Sequence, residues 1–102
     1  MPAGSSHPFR PSGTASLSAS TMPASVGLAG GGDSVLVTNA ASSIAFVRFG
    51  ADATVTANAG DMPVLPNSRM LIAVNSLIRS AAAVLVSGTG SMYFTRGDGS
   101  NL

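Results

Sequence analysis

Cysteine, lysine and glutamate are all missing from this chain of 102 residues. Without cysteine there is no disulfide framework and no thiolate metal site, and the redox compartment stays open. Without glutamate, a paired-carboxylate hydrolase would have to draw on Asp33, Asp52, Asp61 and Asp98, each of which looks like a turn residue or a strand-end solubiliser. The single histidine, His7, lies in a proline-rich stretch, so metal ligation through histidine lacks a second ring. No serine stands in a Gly-x-Ser-x-Gly elbow. Charge of either sign is scarce. Charged residues make up 9% of the chain, against roughly 25% in an average soluble domain. The net charge is +1, too little for the broad positive field that holds nucleic acid. The longest apolar runs, Met70–Val74 and Ala81–Val86, are far too short to span a bilayer. The N-terminus has no basic region followed by an apolar run, so no signal peptide is expected.

What is present is small and β-prone. One domain fits the length. Residues 1–13, MPAGSSHPFRPSG, contain Pro2, Pro8 and Pro11, which forbid a continuous helix and favour extended chain. They read as an N-terminal arm, either a disordered terminus or a segment that orders on a neighbouring subunit, with Phe9 and Arg10 as its anchors. Deleting 1–13 is expected to weaken attachment and spare the fold. Residues 14–97 are expected to form a β-sandwich domain, and 98–102 a polar tail.

Within the domain, residues 14–28 supply one or two strands, limited by Pro23. The loop 29–33, AGGGD, invites comparison with a phosphate-binding loop, but a β-branched run follows it rather than a helix N-terminus. The central stretch, SVLVTNAASSIAFVRFG over 34–50, reads as a hairpin of strands 34–39 and 44–50. Both faces of the second strand are apolar, as a central strand requires. Arg48 is its exception: it reaches a strand edge with its stem packed, pairs with Asp52 or Asp61, or faces a partner. An outer strand is expected over 53–57, a short edge over 61–65, a second strong core strand over 69–75, and strands over 81–87 and 91–96 joined by a hairpin turn at 87–90. The segment 76–80 fits a bulged loop or a helical turn. Arg96-Gly97-Asp98 spells an integrin-recognition tripeptide, but glycine and aspartate there also serve to end the last strand. Short strands every eight to twelve residues, with turn chemistry between them, predict an all-β fold: a single small antiparallel sandwich or barrel, jelly-roll or Ig-like.

The succession SVLVTN, IAFVRFG, TVTA, DMPVLP, RMLIAV and SGTGSMYFTRGDG, covering about residues 14–99, resembles the small β-structured virion proteins encoded among the head genes of tailed bacteriophages. The resemblance implies a structural role on the particle: a capsid decoration or cement protein on the head shell, or a component of a head spike or head–tail junction. It brings no catalytic residues. A dense, permanent assembly would also explain the scarcity of charge, since each unpaired buried charge is costly; a small β domain that tolerates few charges is the plainer alternative. On this reading the partners are the major capsid protein and further copies of the chain, most plausibly as a homotrimer at local threefold sites. Arginine and aromatic residues dominate interfaces, which singles out Phe9, Arg10, Arg48, Arg69 and Arg79. A tail or connector subunit and a receptor- or carbohydrate-binding β module are the alternatives. No catalytic, cofactor or metal site and no nucleic-acid or membrane partner is expected.

Overall fold

β-branched and hydroxyl-bearing residues favour extended chain, and glycine, proline and asparagine break it at short intervals. The computed structural model describes residues 8–52, 54–58, 60–75 and 77–99. The strands are β1 (Arg10–Ala19), β2 (Ala24–Gly27), β3 (Ser34–Asn39), β4 (Ala45–Gly50), β5 (Met62–Val64), β6 (Ser68–Ala73), β7 (Ser80–Leu85) and β8 (Gly90–Asp98). No helix occurs among the described residues. Two four-stranded antiparallel sheets form, in the orders β1-β8-β3-β6 and β2-β7-β4-β5. The first strand pairs with the eighth, the second with the seventh, the third with the sixth and the fourth with the fifth. Pairings β3–β8 and β4–β7 complete the sheets. Such nesting results when one long hairpin is rolled up so that successive strand pairs alternate between layers, which is jelly-roll connectivity. The expected all-β sandwich is thus the fold of the chain.

Period-two alternation builds the core. The first sheet turns Leu17, Val35, Val37, Met92 and Phe94 inward, and the second turns Ala45, Val47, Val64, Ala81, Ala83 and Leu85; all are buried. One layer sends large side chains and the other mostly small ones, so the two interdigitate. The Phe94 ring meets Phe49 of β4 edge-on across the layers, with centroids 6.1 Å apart and planes at 85°, a favourable T-shaped contact.

Several local expectations are corrected. Residues 34–50 are not a hairpin: β3 and β4 lie in opposite sheets. Asn39 explains the crossing. Fully buried, its side chain accepts from the Ala41 amide at 2.9 Å and donates to the Ser43 and Val64 carbonyls, each at 3.0 Å. The polar groups of the joint are satisfied there, so the chain can leave one layer for the other. The 87–90 segment likewise crosses between layers, from β7 to β8. No strand is found at 54–57 within the expected 53–57. Asp52 accepts from the Thr54 amide at 3.0 Å and Asp61 from the Asn58 amide at 2.8 Å; these side-chain turns divert the backbone from a ladder. The run expected as a strong core strand is β6, which has one neighbour and no fully buried residue. The N-terminal boundary also moves. Residues 10–13, placed in the arm, are in β1, where Arg10, Pro11 and Gly13 pair with β8, so deleting 1–13 would cut into the sheet. Residues 1–7 lie outside the described residues. At the other end β8 runs through Asp98.

Candidate functional site

Each sheet also has an outer face, and the two differ in chemistry. On the first sheet, register places Arg69, Thr38, Tyr93 and Ser16 in one row across all four strands, and Leu71, Leu36, Thr95 and Thr14 in the next. The Thr14 and Thr95 hydroxyls are 2.9 Å apart. This face is rich in hydroxyls, with Arg69 as the charge in the two rows.

The second sheet's outer face divides in two. Val55, Ala57 and Asp61 of the loop between β4 and β5 lie over it near Gly50. A Cβ on Gly50 would lie 2.8 Å from that of Val55, Asp61 of the loop pairs with Arg48 at 3.3 Å, and Ala57 is buried. Beneath lie Ala82 and Ser80, both buried although they stand in the outward register beside Arg48 and Gly50. The other half is apolar and partly open, with Ile44, Phe46 and Val84 half-buried. Phe46 stands between Val84 and Pro63. Ile44, Leu65 and Val86 continue the outward alternation just past the strand ends. Leu65 is 61% exposed and Val86 58%. Six apolar residues side by side on an outer face form the kind of patch that marks a contact surface.

The five residues singled out from sequence do not converge. Phe9 is half-buried just ahead of β1, and Arg10 is exposed at the start of β1, opposite Asp98. Arg48 takes the Asp61 option on the second sheet, and Arg69 stands on the first. Arg79 precedes β7, with its amide donating to the Gly50 carbonyl at 3.0 Å and its carbonyl accepting from the Leu28 amide at 2.8 Å. Arg79 shares a cavity wall with another cation, Arg96.

Arg96 is 5% exposed. Its Nε donates to the Gly32 carbonyl at 3.1 Å, one terminal nitrogen to the Asn75 carbonyl at 3.2 Å, and the other to the Ile78 carbonyl. It thereby ties the β2–β3 loop to the β6–β7 loop where both cross the end of the sandwich. The glycines of the first loop allow the close approach. Gly32 has φ 133°, and a Cβ there would run into the Gly97 carbonyl oxygen. With Arg96 buried in β8, the Arg96-Gly97-Asp98 tripeptide is part of a strand rather than a presented loop. Among the described residues no cluster of three or more His, Cys, Asp or Glu is gathered as metal ligands would be; His7 lies outside those residues.

Two features had a readable signal. Arg96 follows Met92 and Phe94 at a spacing of two, which puts it on their inward face. Ile44 and Phe46 alternate with Ala45 and Val47, but period two does not say which set faces the core. The fold and these surfaces define a small jelly-roll β-sandwich with an apolar patch on one outer face. No family model, curated protein or solved structure matches the chain.

Proposed function

We propose that this protein is a structural virion protein of a tailed phage, a capsid decoration or cement protein that binds between capsomers and stabilises the head shell. The observation that carries this reading is the partly open apolar half of the second sheet, Ile44, Phe46, Pro63, Leu65, Val84 and Val86. Burying it is worth roughly 25 cal/mol per Å² before the costs of association. Repetition around a shell turns such modest contacts into avidity. The sparsely charged surface suits permanent contact, and double-sheet jelly rolls are an architecture that capsid domains use, an argument by analogy of fold. The proposed partners are the major capsid protein and further copies of this chain, as a homotrimer.

Quantitative mass spectrometry of purified particles tests the location. Copies in proportion to the shell lattice are the expected result; a handful per particle would move the protein to a spike base, connector or tail. Val86→Asp tests the surface. Val86 is exposed, so the variant should keep its fold and its thermal midpoint while binding shells about tenfold more weakly or worse. Undiminished binding by the folded variant would remove the patch from the interface.

A further inference from the structure

Beside the crossing of the β2–β3 and β6–β7 loops is a cavity of about 300 Å³, lined by Leu28, Gly30, Gly31, Gly32, Arg79 and Arg96. Its wall holds two arginines and no carboxylate. The nearest acid in sequence, Asp33, lines the neighbouring groove with Asp98 and Arg10 and accepts from the Ser34 hydroxyl at 3.2 Å.

The state of Arg96 is unusual. Three neutral carbonyls engage it, and a guanidinium has five N–H donors. Those contacts satisfy hydrogen bonds but leave a full positive charge, and Arg96 has no ion pair among the described residues. A buried cation without a counter-charge is costly. Arg79 adds a second arginine to the lining. Its backbone is pinned on both sides, and the residue is exposed, so its long side chain is within reach of a ligand in the cavity. The third wall is glycine, Gly30, Gly31 and Gly32, which adds no side chain to the lining.

From this geometry we infer that the cavity binds a compact oxyanion, a phosphate-type ion or a carboxylate, held between Arg96 and Arg79. Guanidinium forks match both shapes with paired, charge-assisted hydrogen bonds. The space admits such an ion with several waters, at roughly 30 Å³ each. The site differs in construction from a helix-borne phosphate loop. Its charge comes from β8 and from the residue before β7, and the glycines add no side chain. The inference is independent of the virion role. It would hold equally for a free ion and for an acidic side chain presented by a neighbouring subunit.

The test uses the full chain, titrated with inorganic phosphate in one arm and acetate in another, against chloride at matched ionic strength. Backbone and arginine Nε resonances are followed by NMR. Saturable shifts at Gly30–Gly32 and at the Arg96 Nε are expected with at least one oxyanion. Phosphate alone would indicate a free phosphate-type ligand, and acetate binding as strong as phosphate a carboxylate source. Arg79→Ala, at an exposed side chain, should fold normally and bind about tenfold more weakly, with Arg79→Lys between it and the parent. Shifts no different from the chloride control in both arms, or an unchanged affinity in Arg79→Ala, would overturn the inference.

Discussion

The two sheets share a strand count and an antiparallel plan, yet they spend their side chains differently. Toward the core, the sheet of β1, β8, β3 and β6 supplies bulk, with Phe94, Met92, Val35 and Val37, while Ala45, Ala81 and Ala83 of the other sheet leave room for it. Outward, the relation changes. The first sheet presents hydroxyls, with Thr14, Ser16, Thr38 and Thr95; the second hides half its face under its own loop and leaves the rest apolar. A sheet facing water needs no cover for threonine and serine. A sheet that leaves Leu65 and Val86 exposed beside half-buried Phe46 and Val84 carries the kind of apolar patch that water covers poorly. Inner faces thus report how the layers fit, and outer faces report what each layer meets.

The inner asymmetry is broken most strongly at Phe94. Its ring fills the space that the alanines leave, so Phe94→Ala should cost about 3–5 kcal/mol. Urea unfolding measures it: the midpoint should fall sharply with little change in slope. A loss below about 1 kcal/mol would mean that the layers close up over the gap and that the division into bulky and small faces has little energetic meaning.

The outer asymmetry is tested by placing the same side chain on each sheet. Ala82 on β7 and Thr38 on β3 both stand in outward rows of inner strands. Ala82 is fully buried, so Ala82→Leu must displace what covers it and should cost about 1–3 kcal/mol. Thr38→Leu projects into the open face and should change stability by no more than about 0.5 kcal/mol. Equal effects in urea unfolding would refute the contrast between a covered and a bare face.

Much of this design is legible in the residues. The all-β class, the break at Pro23 and the central position of β4 follow from period-two runs and turn residues. What the pattern withholds is partnership. Alternation along 34–39 and 44–50 fits a hairpin as well as it fits two strands in different layers, and Asn39 decides between them through contacts to Ser43 and to Val64, the latter distant in sequence. The same limit explains β6. MLIAV reads as core, but its place at a sheet edge leaves Met70 38% exposed. The arginines show it once more: Arg48 and Arg96 both sit in strands, and only the packed chain gives one a carboxylate and the other three carbonyls.

The smallest expected effect concerns the loop that covers the second sheet. The Asp52 carboxyl lies below its ordinary value of 3.8, because the Thr54 hydroxyl and then the Thr54 amide donate to it. A carboxyl whose folded value is depressed adds stability above its unfolded value and loses it as pH falls through the lowered folded one. Acid should therefore loosen the contact between Asp52 and Thr54 in the covering loop, and the hydroxyl rows of the first sheet contain no carboxylate to follow. NMR titration of Asp52 reads this directly. Thr54→Val removes the larger of the two contacts, so the Asp52 midpoint should rise toward 3.8, and amide shifts at position 54 and at Val55 should set in at higher pH. The amide of Thr38 should be unmoved in both proteins. An unshifted Asp52 midpoint in the variant would mean that the Thr54 hydroxyl does not hold this turn.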